Sequence, residues 1–375
     1  MKILVLSNAP VVESQGSGYI IVNTARSLTA LGHQVDMIPP DELEFLPSWR
    51  SRARNYRLTL GIAKWVYAHR ERVATYDLVI FYGAESALAV YVLKHVLKLT
   101  MPVILHSNGL ELHVDYRMKD LVESTNELKW YHFDQSWIFK YCYDHVDAII
   151  TLSKYDRDFA VQNIGIAPEK IHFIEPCLPE VFFNYQPATA IVRKPIIVYC
   201  GTWIARKGIQ AVKEAIPAIL EQYPEYTFRV IGTGDKFNAA EEFPAALLDR
   251  IETFPLVESK EEMIRLYSES VIFVFPSVHE SFGLVIAEAM FCGCAVVSGQ
   301  TGFATNVANG KEAIVLEKPD TQHVYEAVKE LIDNDALREN MAINAHERTQ
   351  QLQWGNYKQQ LGAVLETVLN RRAFA

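Results

Sequence analysis

The sequence predicts an α/β protein built from two Rossmann-like, doubly wound domains. Three observations carry this prediction. The chain has 375 residues, and at roughly 100–200 residues per domain it suits two domains. Short β-branched or aromatic runs alternate with helical spacing along most of it, which implies parallel strands joined by right-handed crossovers. The alternation breaks once, over Glu175–Lys194, where Pro176, Pro179, Pro187 and the adjoining Pro195 punctuate a stretch of weak periodicity.

The elements follow in order. Lys2–Ser7 (KILVLS) is a short apolar run and reads as a buried strand. A loop with Gly16 and Gly18 follows. Over Tyr19–Leu31, residues Ile20, Asn23, Thr24, Ser27, Leu28 and Leu31 share one helical face, and Gly32 ends it. Gln34–Ile38, Leu78–Tyr82, Val103–His106, Ala148–Leu152 and Ile171–Ile174 read as further strands. After the proline-rich interruption the pattern restarts. Ile196–Cys200, Thr227–Ile231, Val271–Pro276, Ala295–Ser298 and Ala313–Leu316 read as strands, with a helix at Ile209–Gln222. A last helix at Tyr357–Asn370 comes too late to belong to the second sheet. The expected division is a first domain over residues 1–185, a second over 190–352, and a terminal helix at 355–375 packing back on the first. In such folds ligands bind beyond the carboxyl ends of the strands, so two such domains are expected to face a central cleft.

Composition narrows the function classes. Half the residues are apolar and 22% are charged, as in a folded globular protein. The net charge of −9 makes a general nucleic-acid binder a poor fit. The five cysteines are irregularly spaced, and Cys292-x-Cys294 has no second pair to complete a zinc site. They read as free thiols in a reducing cytoplasm. No run of 18 apolar residues occurs, and no signal-type cleavage site follows the first strand.

The most informative segment is Val271–Ser298, VIFVFPSVHESFGLVIAEAMFCGCAVVS. A strand stops at Pro276, a loop carries His279, Glu280 and Gly283, and a helix runs over Leu284–Cys292 to Gly293. Glu288 is the only charge among the apolar residues of that helix. A lone carboxylate there either pairs with an Arg or Lys from elsewhere or accepts hydrogen bonds from ligand hydroxyls such as those of a ribose. The amides of Phe282, Gly283 and Leu284 open the helix, a position suited to a phosphate or diphosphate. Cys200–Gly208 (CGTWIARKG) likewise lies between a strand and a helix. Arg206 and Lys207 there are cations at a helix start, which is unfavourable unless an anion such as a diphosphate sits beside them.

These residues resemble the retaining glycosyltransferases of family 4, which have the GT-B fold. The likeness rests on Glu280-Ser-Phe-Gly-Leu-Val-Ile-Ala-Glu288, an E-x7-E motif with Pro276 and Ser277 before it and Gly293 after it. Lys207-Gly208, the run DAIITLS ending at Ser153, and GYIIVNTARSLTALGHQV near the start are also similar. The resemblance spans nearly the whole chain. It implies transfer of a sugar from a UDP- or GDP-sugar to a glycan, lipid-linked or small-molecule acceptor. It implies that Glu288 holds the ribose, that Lys207 and Arg206 neutralise the diphosphate, and that Glu280 contacts the donor sugar. Gly16 would face the diphosphate, while Gly18, Asn108 and Glu111 would lie on the acceptor side. No metal and no further cofactor are expected. Asp156-Arg-Asp158, a D-x-D, falls on a predicted helix and reads as a solvated face.

Two positions depart from the family pattern. Thr202 follows Gly201 where an arginine is usual. A His-Gly pair is replaced by His106-Ser-Asn108-Gly109, so either His106, by residue type, or Asn108, by spacing, takes the histidine's place near the sugar. Both project to one side if the strand continues that far. The preferred catalytic set is Glu280, Lys207 and His106. Retention fits an oxocarbenium-like transition state with a stabilised departing diphosphate. The nucleotide base is expected near Ile251–Val257.

Residues 50–72 carry seven cations and one anion, with Leu58, Ile62, Trp65 and Val66 at helical spacing. A basic amphipathic helix can lie on an anionic membrane, placing the protein at the inner face of the membrane. It can equally pack its apolar side on the first sheet. Three other functions remain as alternatives: a GT-B epimerase or phosphorylase, a dinucleotide-dependent oxidoreductase, and a non-catalytic binding module. The oxidoreductase is disfavoured because Gly16-Ser-Gly18 lacks the full glycine fingerprint.

Overall fold

The computed structural model describes residues 1–13, 16–44, 54–125, 136–186 and 191–373. The chain divides into two compact units, Met1–Pro176 with Trp354–Ala375, and Cys177–Gln353.

The first unit is a six-stranded parallel sheet in the order β2-β1-β3-β4-β5-β6. Its strands are β1 (Lys2–Leu6), β2 (Gln34–Ile38), β3 (Leu78–Tyr82), β4 (Val103–His106), β5 (Ala148–Thr151) and β6 (Ile171–Phe173). All its pairs are parallel, and the chain adds strands on one side of β1 with β2 and on the other from β3 onward. Helix α1 (Gly16–Ala30) crosses from β1 to β2. Helices α2 (Pro40–Leu43), α3 (Arg54–Ala68) and α4 (Arg70–Val73) precede β3. Helix α5 (Ala87–Tyr91) runs into a π-helical turn at Val92–Val96, α6 (Glu111–Thr125) and α7 (Ser136–His145) follow β4, and α8 (Lys154–Phe159) follows β5. Every residue of β3 is buried, as a parallel strand covered on both faces requires.

The second unit repeats the plan in the order β12-β11-β10-β7-β8-β9. It contains α9 (Glu180–Asn184), β7 (Lys194–Cys200), α10 (Ile209–Gln222), β8 (Thr227–Ile231), α11 (Ala239–Glu242) and β9 (Ile251–Phe254). After these come α12 (Lys260–Glu269), β10 (Ser270–Phe275), α13 (Leu284–Phe291), β11 (Ala295–Gly299), β12 (Ile314–Leu316), α14 (Thr321–Asp333) and α15 (Asp335–Thr349). The chain steps outward from β7 through β8 to β9, then crosses back to β10 on the other side of β7. The loops after β7 and β10 therefore diverge at a topological switch point, the natural binding crevice of such a sheet.

Helix α16 (Trp354–Ala373) belongs to the first unit. Thr24 Oγ1 and Tyr357 OH share a 2.6 Å hydrogen bond, and Trp354 Nε1 donates to Ser27 Oγ at 2.9 Å. Residues 177–185, expected in the first domain, lie in the second unit instead. The Leu178 amide donates to the Leu352 carbonyl at 2.8 Å, and the rings of Phe182 and Phe183 pack on Phe291.

Three other expectations change, and one of two alternatives is realised. Helix α1 begins at Gly16, three residues early, because a Cβ on Gly18 would lie 2.2 Å from the Val12 carbonyl oxygen. Glycine there lets the helix close against the incoming loop. Strand β9 adds to the strands expected from sequence: IETF has three half-buried residues and one exposed, and no apolar run marks it. Asp156 is not solvated. It is 1% exposed and pairs with His113 Nδ1 at 2.7 Å, its pKa raised by burial against the opposing pull of His113. On α3 the apolar stripe of Leu58, Ile62, Trp65 and Val66 is buried in the core of the first unit, so that stripe does not face a membrane. Arg50 and Arg52 of the basic stretch lie outside the described residues. No described helix is long and apolar enough to cross a membrane.

Candidate active site

The site of the second unit is built at the switch point. After β7 the chain forms a 3-10 turn over Ala205–Lys207, and α10 starts after Gly208 in the left-handed conformation, φ 75°. A Cβ on Gly208 would lie 2.0 Å from the Pro276 carbonyl oxygen, so only glycine lets the two switch-point loops touch. The contact is stitched by the Val278 amide donating to the Arg206 carbonyl at 2.9 Å, with Ser277 Oγ 3.1 Å from the same carbonyl.

This approach gathers charge around Glu280, itself 8% exposed. Lys207 Nζ donates to Glu280 Oε1 at 2.6 Å, and Ser277 Oγ donates to the same oxygen at 2.7 Å. Arg206 Nη1 stands 3.5 Å from it and donates to the His279 carbonyl. The Thr301 hydroxyl accepts from the Glu280 amide. The anion expected beside Arg206 and Lys207 is thus present within the protein. Such a buried, partly neutralised cluster has the chemistry to hold an anion and hydroxyl groups together.

The loop from Glu280 ends at Gly283 (φ 76°), which opens α13. Phe282 sends its ring into the core against Phe303, so only its backbone can serve a ligand. Leu284 is the first residue of α13. Glu288 lies one turn further along, 2% exposed, and has a partner that the sequence did not reveal: Lys260 Nζ, at the start of α12, 2.9 Å from Oε1. Burial pulls the Lys260 ammonium pKa down, the carboxylate more than offsets this, and the net shift is upward. The lysine reading of Glu288 is therefore realised, through Oε1. Lys260, Ser277 and Thr301 are the site residues that sequence reasoning missed. Only Ser277, flanking the E-x7-E motif, carried a signal. The Ile251–Val257 stretch forms β9 and the loop leading toward α12.

The remaining candidates belong to the first unit. Gly16 is exposed at the start of α1, and Gly18 packs on the Pro10–Val12 backbone. His106 ends β4, fully buried, its ring 4.7 Å from that of Tyr82 and neither nitrogen hydrogen-bonded. Burial pushes its pKa down to about 3, so the ring is neutral at ordinary pH. The strand stops at His106, so the alternation that would align it with Asn108 does not extend to Asn108, which sits in a bend. Glu111 spends its carboxylate internally: Oε1 accepts from the Ala84 amide at 2.8 Å and Oε2 from Tyr143 OH at 2.6 Å. Burial first, and then the nearby Glu85 charge, pushes its pKa up to about 8. Glu111 thus braces the loop after β3, where Asn8 Nδ2 donates to Glu85 Oε2 at 3.3 Å. Among the described residues no group of three or more His, Cys, Asp or Glu is placed to hold a metal ion.

Comparison with known proteins bears on the family and the fold. The family described as Glycosyl transferases group 1 matches residues 183–348, and Glycosyltransferase Family 4 matches residues 14–179. The D-inositol 3-phosphate glycosyltransferase of Corynebacterium urealyticum is 29% identical over 175 residues, 44% of this chain and 41% of that protein. The matched segments span 41–66% of the length of the curated relatives. Sucrose-phosphate synthase from Thermosynechococcus elongatus superposes with a TM-score of 0.74 at 19% identity, covering 99% of this chain and 100% of that one. HepE of Anabaena, solved with UDP-glucose, superposes at 0.64 with 16% identity, covering 98% and 100%. With its two matched domains and its two parallel sheets, the chain belongs to the family 4, group 1 glycosyltransferases and has the GT-B fold.

Proposed function

We propose that the protein transfers a glycosyl residue from a nucleoside diphosphate sugar, with UDP or GDP as carrier, to a hydroxyl of a glycan, lipid-linked or small-molecule acceptor, retaining the anomeric configuration. The observation that carries this reading is the cluster of Arg206, Lys207 and Ser277 around Glu280 at the β7/β10 switch point. The UDP-glucose bound by HepE is consistent with it.

The chemistry follows from the charges. Breaking the sugar–phosphate bond leaves negative charge on the diphosphate and positive character on the sugar ring. Lys207 and Arg206 stabilise the first, aided by the amides of Gly283 and Leu284 at the start of α13. In the ligand-free protein Lys207 Nζ is held by Glu280 Oε1. With donor bound, Lys207 lies between the carboxylate and the diphosphate, and Glu280 accepts from sugar hydroxyls near the reacting carbon. Glu288, anchored by Lys260 through Oε1, accepts from the ribose through Oε2. Asn108 serves the acceptor from the first unit, whereas Glu111 and Gly18 act by shaping the loops beside it. The protein works at the cytoplasmic side of a membrane.

The test is a turnover panel of UDP-, GDP- and ADP-sugars with NMR of the product anomer. The reading expects hydrolysis or transfer from a UDP- or GDP-sugar with the α or β configuration kept. Inversion would refute retention, and no turnover of any donor would refute the reaction.

A further inference from the structure

A ladder of aromatic rings in the first unit leads from its interior to an exposed pocket that the reaction does not use. It starts at His113 of α6, whose Nδ1 lies 2.7 Å from the Asp156 carboxylate of α8, both residues fully buried. The His113 ring meets Tyr155 edge-on at 4.5 Å and stacks on Phe159 at 4.2 Å, with an angle of 14° between the planes. Phe159 in turn lies 5.4 Å from Tyr116, which is 62% exposed. The buried ion pair thus fixes Phe159, and Phe159 backs Tyr116. An exposed ring held by a buried, hydrogen-bonded support is a platform built in advance of a ligand.

The platform belongs to a pocket of about 600 Å³ lined by α6, by Lys140 of α7, by Phe159, and by the π-helical turn Ala160–Ile164 that follows α8. That volume is typical of small-ligand sites, and single π-helical turns often accompany functional sites. Leu112 and Ile164 supply apolar wall, and Asp115 and Asn163 supply planar polar groups. The charges balance. Asp115 stands one turn before Lys119 on α6, and Lys140 Nζ donates to both Asp144 oxygens at 2.9 Å.

We propose that this pocket binds a neutral saccharide. The C–H face of a sugar ring packs on the electron-rich face of an aromatic ring, here that of Tyr116. A carboxylate accepts from neighbouring hydroxyls, and an amide both donates and accepts, so Asp115 and Asn163 suit a polyhydroxyl edge. An anionic ligand is disfavoured because each lysine of the pocket has an acidic residue one turn away on its own helix. A wholly apolar ligand is disfavoured because it would desolvate Asp115 and Asn163 without replacing their hydrogen bonds. The pocket gives the first unit a hold on a glycan that is separate from the switch point of the second unit and independent of the transfer step. It also gives the buried His113–Asp156 pair a purpose, which is to hold the platform.

The experiment is saturation-transfer NMR of the full chain, without nucleotide, against maltotriose, cellotriose, N,N′-diacetylchitobiose and trigalacturonate. At least one of the three neutral saccharides is expected to bind, and more tightly than trigalacturonate. Tyr116→Ala and Asn163→Ala are each expected to weaken that binding by about tenfold, whereas Tyr116→Phe keeps the ring and the affinity. The circular dichroism and unfolding midpoints of these variants should match wild type, since both side chains are exposed, and their donor hydrolysis should be unchanged. Binding of none of the neutral saccharides, tighter binding of trigalacturonate, or affinity undiminished by both alanine variants would overturn the proposal.

Discussion

Replacing Lys260 by methionine isolates the cost of the carboxylate at Glu288. The glutamate side chain is 3% exposed and its Oε1 sits 2.9 Å from the Lys260 ammonium, itself 38% exposed. Removing one partner of a fully buried ion pair costs about 3–5 kcal/mol, because the other charge is left unpaired. The partial exposure of Lys260 lets water take up part of that loss, which brings the expected cost to about 2 kcal/mol. In a unit of this size that lowers the unfolding midpoint by about 4–8 °C. The diagnostic variant is the double substitution Lys260→Met with Glu288→Gln. It removes the charge that was left unpaired and should recover about 1 kcal/mol or more of the loss. Urea unfolding of wild type, both single variants and the double variant, followed by circular dichroism, measures this coupling. Additive losses, or a Lys260→Met variant within about 0.5 kcal/mol of wild type, would refute the pairing as an energetic feature.

Two further predictions test the loops that shape each unit. Gly208→Ala places a methyl 2.0 Å from the Pro276 oxygen at a φ of +75°. It should cost about 2 kcal/mol or more and abolish turnover by separating Lys207 from Glu280, read by thermal unfolding and by donor hydrolysis. Glu111 has a pKa raised from 4.5 to about 8 in the fold. Its neutral form is favoured there, so its contribution is complete below about 4.5 and is lost as pH rises toward about 8. Glu111→Gln should remove about 1.4 kcal/mol per pH unit of slope from the unfolding free energy in that window, and a slope unchanged by the substitution would contradict the assignment.

The legible part of the fold was its sheets. Eleven of the twelve strands announce themselves as β-branched or aromatic runs, and the inner ones are apolar throughout because both their faces are covered. β9 does not, because Glu252 and Thr253 interrupt its four residues and none of them is fully buried. The E-x7-E motif placed Glu280 and Glu288 correctly on the loop and helix after β10. What remained hidden were the partners. Lys260 lies 28 residues from Glu288 in a run, ESKEE, that reads as an ordinary solvated helix start. Asp156 looked solvated for the same reason, since its partner His113 is 43 residues away. Local pattern fixes neither long-range pairing nor which side of an amphipathic helix with two usable faces turns inward. On α3 the apolar stripe took the core and left an aromatic one outside.

Glycosyl transfer by this protein requires that the β7/β10 switch point bind a nucleoside diphosphate. Calorimetric titration of the full chain with UDP and with GDP, for wild type, Lys207→Ala and Glu288→Gln, measures this. One nucleotide should bind wild type, and each substitution should weaken it by about tenfold or more, as expected for a lost charge-assisted contact. Wild type that binds neither nucleotide, or variants that bind as tightly as wild type, would rule out donor binding by Lys207 and Glu288 at the switch point.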